Sequence, residues 1–181
     1  MTEQVDITLK AQNTNGGRIE HPIPPVFDGC SRILILGSFP SVKSRELQFY
    51  YAHPQNRFWC VLAAVFAETV PQTVPERRDF LLRHGIALWD VIQSCEIEGS
   101  SDASIRHVTA NDLTEILATA PIQTIFCNGR TAETLYRRHI EKQIGRSAVC
   151  LPSTSPANAA WSLERLTEAW RVIGEGTDGK L

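Results

Sequence analysis

The sequence predicts an α/β domain of three layers, α/β/α, around a central four-stranded parallel sheet. Three observations lead there. Four short apolar runs punctuate the chain, segments with helical spacing lie between them, and each run is followed by a polar, turn-rich stretch. At 181 residues, 43% of them hydrophobic and 21% charged, the chain suits one domain with a sizeable core. Residues 1–28 read as an extended N-terminal lead-in with a Pro-rich patch at His21–Pro25. Residues 29–174 read as the folded domain, and 175–181 as a short tail.

The first run, Arg32–Gly37, has the length and branched content of a buried strand. Asn56 is placed to cap a helix that carries Trp59, Leu62 and Phe66 at helical spacing. Pro75 fits the first turn of a further helix, which Gly85 ends. The second run is Ile86–Val91. Thr109 with Asp112 resembles a capping box before Leu113, Ile116 and Leu117. The third run, Ile122–Cys127, leads through Asn128-Gly129 into a helix over Ala132–Gln143. The fourth run is Ala148–Leu151. A last helix puts Leu163, Leu166, Trp170 and Ile173 on one face, and Gly174 is expected to stop it.

Composition narrows the function. The net charge of −2 gives no global argument for nucleic-acid binding, so such a site would need local basic groups. Arg57, Arg77-Arg78 and Arg137-Arg138-His139 with Lys142 and Arg146 are the candidates, though each taken alone reads better as a solvated helix face. The five cysteines are scattered and odd in number, without Cys-x-x-Cys, so free thiols are expected and an iron–sulfur cluster is not. No apolar run approaches the ~20 residues of a membrane span. The start of the chain lacks the apolar segment of a secretory signal, which makes the cytosol the default compartment.

Parallel sheets of this kind bind ligands beyond the carboxyl ends of their strands. The segments that would converge there are Gly37–Ser41 with Tyr50–Trp59, Gln93–Asp102, Asn128–Arg130 and Pro152–Asn158. They make a site rich in Ser, Asn and backbone amides, with few acids and two aromatic platforms, Phe39 and Phe58. Those are the groups that excision of a flipped base would use. The base must leave the stack. Donors must meet the charge growing on it. The sugar becomes oxocarbenium-like and is attacked by water, without metal or cofactor. Simpler readings stand beside each candidate. Asn56 before a helix is equally a cap, and Asn128-Gly129 is equally a turn. Phe58 and Trp59 open an apolar helix as core residues do. His53 before Pro54 suits a loop histidine with a backbone partner, and Asp102 suits a turn. Asp90 within an apolar run demands partners.

Two segments go further. Ile33–Ser41 followed by Tyr50–Trp59 resembles the first active-site motif of the uracil-DNA glycosylase superfamily. Its Gly37-Ser38-Phe39-Pro40-Ser41 form is similar to the hypoxanthine-DNA (deoxyinosine) glycosylase branch, often called the sixth family. Leu151–Asn158 resembles that branch's last motif, and Leu88–Val91 with Gly99–Asp102 fits its middle one.

The resemblance implies a uracil-DNA glycosylase-like fold and a monomer that hydrolyses the N-glycosidic bond of a flipped deaminated base in damaged DNA, with no metal and no cofactor. A separate endonuclease would take the abasic product, in the cytoplasm or, in a bacterium, at the nucleoid. Better-known members place an Asp or Asn after the first strand and a His in the last motif. Here those stretches are Ser38-Phe39 and Ser153-Thr154-Ser155. The resemblance therefore points to Asn56 as the catalytic group, orienting water or the departing base. Gly37, Ser38 and Phe39 would bind the base, with His53 beside them; Phe58 would stack on it, and Asp90 or Asn128 would read it. Ser41, Ser101, Ser153, Thr154 and Ser155 would hold DNA. Uracil or xanthine excision is the nearest rival. A non-catalytic module that binds lesions is a second class. An α/β enzyme on a small metabolite is a third, though the chain has no Gly-rich phosphate loop.

Overall fold

The computed structural model describes residues 17–177. Four parallel strands form the central sheet in the order β3-β2-β6-β7. They are β2 (Ile33–Gly37), β3 (Ile86–Asp90), β6 (Thr124–Asn128) and β7 (Ala148–Leu151). All four expected runs are strands; β2 is apolar and buried on both faces, as a covered sheet requires, whereas β7 at the sheet border leaves Val149 and Cys150 exposed. The alternation of β2 shows the layering. Ile33 and Ile35 enter one core with Phe58, Leu62, Phe80 and Trp170, while Leu34 and Leu36 enter the other with Leu113, Ile116 and Tyr136.

The helices are α1 (Val42–Leu47), α2 (Phe58–Val65), α3 (Val74–Arg83), α4 (Thr114–Thr119), α5 (Arg130–His139), α6 (Glu141–Ile144), α7 (Leu163–Trp170) and α8 (Val172–Thr177). Pro75 does sit in the first turn of α3, behind a Thr73–Glu76 capping box. The expected box at Thr109 does not form. Thr109 lies in a strand, and Asp112 alone opens α4, accepting from the Thr114 backbone at 2.9 Å. Gly174 does not end the last helical segment, which runs on as α8.

A second sheet, which the apolar pattern does not announce, joins the N-terminal segment to the middle of the chain. Its strands β1 (Arg18–Glu20), β4 (Ile92–Glu96) and β5 (Arg106–Ala110) are antiparallel in the order β1-β4-β5. It corrects the N-terminal boundary. The part of the lead-in that is described belongs to the domain: β1 pairs with β4, Ile23 and Val26 are buried, and Val26 bridges to Leu88 at the edge of β3. Residues 1–16 and 178–181 lie outside the described residues.

Candidate active site

Asp90, Gly37 and Asn128 are the last residues of β3, β2 and β6, three adjacent strands. The sheet therefore presents them side by side at its carboxyl edge. The loop after β7 and the Ser38–Asn56 stretch close over them, leaving a pocket of about 290 Å³. That is room for one nucleobase.

One end of the pocket is built from amides. Asn56 precedes α2, and its Oδ1 accepts from the Phe58 backbone N–H at 3.0 Å. The same oxygen accepts from the Thr154 hydroxyl at 2.9 Å. Thr154, fully buried, in turn accepts from Asn128 Nδ2 at 2.9 Å, and its backbone N–H donates to Asn128 Oδ1 at 3.0 Å. Two backbone N–H groups fix the direction of every bond in this chain, so neither amide can turn over. Both lone pairs of Asn56 Oδ1 are used. Its Nδ2, with two N–H donors, has no partner among the described residues.

The other end is built around a carboxylate. Asp90 is buried, and its Oδ2 lies 2.8 Å from Nε2 of His21. Nδ1 of that ring accepts from the Ile23 backbone N–H at 3.2 Å, which assigns the proton to Nε2. Asp90 Oδ1 has no protein partner among the described residues. It lies over Gly37, where a Cβ would stand 2.3 Å from Oδ1 and 3.0 Å from the Tyr51 hydroxyl. Only glycine leaves that space open. The Tyr51 hydroxyl is shut off from solvent and makes no hydrogen bond of normal geometry. Burial first, and the Asp90 charge second, push its pKa up; the neighbouring Asn128 amide opposes this without prevailing. Tyr51 stays a neutral phenol.

The remaining expected residues divide. Phe39 lines the pocket, edge-on to His21 at 5.7 Å with Arg45 over its face. The backbone N–H groups of Ser38 and Phe39 find no acceptor among the described residues. Ser38 donates to Asp102 at 2.9 Å. Loss of solvent, and then the Asp90 charge, raise the Asp102 pKa, with the Ser38 bond pulling the other way. His53 is at the mouth, its Nδ1 accepting from the Gln55 N–H at 3.2 Å. Ser41, Ser153 and Ser155 line the rim, each occupied by a local turn bond. Ser101 is exposed outside the pocket, whose wall holds its neighbours Ser100 and Asp102.

Two assignments fail on burial. Phe58 has no exposed surface; it lies beneath Tyr51, ring on ring at 3.9 Å, and cannot receive a base. Thr154 cannot grip a phosphate, because its hydroxyl is enclosed and holds both asparagines. Arg57 is equally committed, donating to the carbonyls of Trp161, Ser155 and Asn158 and so bracing the last loop. Sequence reasoning missed His21, Tyr51 and Asn111. Asn111 Nδ2 donates to the Asp90 and Ile92 carbonyls at 2.9 and 3.1 Å and pins the chain where it leaves one sheet for the other. The doubled Tyr50-Tyr51 beside the His53–Asn56 stretch was the available signal for Tyr51; nothing local marks the other two.

The described cysteines are unpaired, and burial raises the Cys127 thiol to about 12 and Cys95 to about 11. Among the described residues, no group of three or more His, Cys, Asp or Glu is placed to hold a metal ion. No described helix is long and apolar enough to cross a membrane.

Residues 24–174 match the Uracil DNA glycosylase superfamily. A hypoxanthine DNA glycosylase of Methanosarcina acetivorans is 35% identical over 160 residues, covering 86% of this chain and 98% of that one. Another from Methanosarcina barkeri is 32% identical over 149 residues, covering 81% and 92%. The solution NMR structure of a Methanosarcina acetivorans protein, provisionally labelled a uracil DNA glycosylase, superposes with a TM-score of 0.74 at 32% identity over 87% of this chain and 98% of that one. The chain belongs to the uracil DNA glycosylase superfamily.

Proposed function

We propose that this protein is a DNA glycosylase that flips a deaminated base, hypoxanthine first, out of damaged DNA and hydrolyses its N-glycosidic bond. One observation carries the reading: a base-sized pocket holds an uncommitted amide donor, Asn56 Nδ2, and an uncommitted carboxylate acceptor, Asp90 Oδ1. Deamination converts an amino group and ring nitrogen into a carbonyl acceptor and an N–H donor. Hypoxanthine therefore offers O6 and N1–H. Asp90 Oδ1 suits the N1–H, and would meet the N1 lone pair of adenine with repulsion. Uracil and xanthine carry the same acceptor–donor edge, as do guanine and thymine, so these two contacts reject adenine and cytosine and leave the choice among the others to the shape of the pocket. The two Methanosarcina relatives named for hypoxanthine support that base among them.

The hydrogen-bond directions also support a part for Asn56. Activating water requires an acceptor, and Asn56 Oδ1 has no lone pair to spare. Its Nδ2 is a donor, which stabilises negative charge growing on a departing base. Asn56 is therefore the catalytic residue acting on the base, with Phe39 as its apolar wall and the Ser38 and Phe39 amides close by. The enzyme acts as a cytoplasmic monomer, without cofactor, and leaves an abasic site for a separate endonuclease.

The test is excision from labelled duplexes containing one inosine, uracil or xanthine, with a chelator present and alkali to break abasic sites. Strand breaks at inosine, lost in Asn56→Ala, are expected. Breaks at uracil alone would replace the substrate and keep the reaction. Binding without breaks at any lesion would make the protein a lesion-binding module.

A further inference from the structure

We propose that His21, carried in by the N-terminal segment, is a positioning residue that makes Asp90 a reader of the base's N–H. The inference rests on the reading of Asp90 given above. His21 is not on the pocket surface. Its side chain is 2% exposed and meets the pocket wall by a hydrogen bond to Asp90 and by ring contacts with Phe39 and Tyr50.

Three constraints hold the ring. The first is backbone pairing: Glu20 lies opposite Ser94, and the His21 N–H donates to the Gln93 carbonyl at 2.7 Å. The second is a box of aromatic rings. Phe39 and Trp89 stand edge-on at 5.7 and 6.4 Å, and Tyr50 lies tilted at 6.2 Å. The third is the Ile23 N–H on Nδ1, which leaves Nε2 as the protonated nitrogen.

The consequence falls on Asp90. A carboxylate on a short stem can rotate and exchange its oxygens. Nε2–H binds one of them, Oδ2, at 2.8 Å, and so turns the other over Gly37 toward the pocket. Oδ1 then faces the base as a pure acceptor. Without the ring, that orientation would have no side-chain partner to hold it, and a buried carboxylate with neither oxygen bound is unfavourable. His21 acts on specificity through a neighbour it holds in place, as second partners do at metal ligands.

The test compares two duplexes bound by the full chain. One contains 2′-fluoroarabino-inosine, whose fluorine opposes the oxocarbenium-like transition state and blocks cleavage. The other contains its 1-deaza analogue, in which C–H replaces N1–H. Wild-type protein is expected to bind the first about tenfold tighter or more. His21→Phe fills the ring's space without a donor. It is expected to bring the ratio to within about twofold of one while binding of the deaza duplex stays within about threefold of wild type. A His21→Phe protein that weakens both duplexes equally, with the ratio intact, overturns the inference, because loss of packing alone would do that. A second measurement needs no variant: nitrogen-15 NMR of the wild-type histidines. A His21 Nε2–H tautomer whose proton shifts with inosine and not with the deaza duplex is expected. An Nδ1–H tautomer overturns the proposal even if His21→Phe does not fold. A wild-type ratio near one, with inosine still excised, removes the role of Asp90 and with it this inference, and leaves the proposed function standing. Absence of any excision removes that function instead.

Discussion

The two ends of the pocket solve one problem with opposite chemistry. At the β6–β7 end, Asn56 has its oxygen held by Phe58 and Thr154 and its nitrogen left open. At the β3 end, Asp90 has one oxygen held by His21 and the other left open. Each side chain is locked through one atom so that the remaining one is presented in a fixed direction. The locks differ in range. Asn56 is held by the backbone two residues on and by Thr154, whereas Asp90 depends on a ring 69 residues earlier. The open donor is thus anchored partly within its own turn. The open acceptor is anchored from outside the parallel sheet.

Asn56→Ala is expected to lower the single-turnover rate on an inosine duplex by about 10²- to 10³-fold, with binding of the uncleavable inosine duplex changed far less. Equal losses in both would make Asn56 a binding residue only. Gly37→Ala puts a methyl group where Asp90 Oδ1 stands 2.3 Å away, so Oδ1 must be displaced from its place over the pocket. About 10²-fold loss of excision is expected, and wild-type turnover in that variant would show that the Asp90 orientation is unimportant. Thr154→Val keeps the shape of the side chain and removes the hydroxyl that holds both asparagines. About tenfold slower excision, and a stability loss of about 1–3 kcal/mol by denaturant titration, are expected.

The smallest effect sharpens the acid end. The Asp102 pKa is raised in the folded protein, so the ionised form is the one folding disfavours. That cost is present above the folded pKa and disappears as pH falls below the unfolded value of about 3.9. Asp102 is exposed, so solvent screens most of this cost, and Asp102→Asn should raise Tm by at most about 1 °C near pH 7 and leave it unchanged near pH 3. A fall in Tm at pH 7 would mean that the Ser38 hydrogen bond outweighs the loss of solvent.

Much of this was legible, for reasons that particular residues make plain. Strand β2 reads from the sequence because Ile33, Leu34, Ile35 and Leu36 satisfy both faces of a covered sheet, and no helix of that length competes. Asp90 and Asn128 line the pocket because strand ends in a parallel sheet share one edge, and the need of a carboxylate in the Ile86–Val91 run for partners was the signal for the first of them. The second sheet was hidden because β4 and β5 carry Gln93, Glu96, Arg106 and His107 among few apolar residues, so their pairing is visible only once the chain is folded. Phe58 was mistaken for a platform although its spacing to Leu62 already put it on the buried face of α2. His21 was unreadable for a different cause. Its partners come from β3, from the Ser38–Tyr50 stretch and from its own turn, and no local pattern joins them.

The bridge from Val26 to Leu88 has a consequence for how the molecule behaves in a crowd. Strand β3 ends the parallel sheet, and Ile86, Ala87 and Leu88 on it are wholly apolar. Left open, such a border would offer its backbone groups to any strand that drifted near, including one from a second copy. The Val26 N–H and carbonyl occupy the Leu88 carbonyl and N–H at 2.9 and 2.8 Å, and the prolines at positions 22, 24 and 25 supply no donors of their own for a stranger to pair with. The segment that delivers His21 to the site is also the guard rail of the sheet. Without residues 17–28 the Leu88 backbone groups would lose that cover and Asp90 would lose His21 in the same stroke.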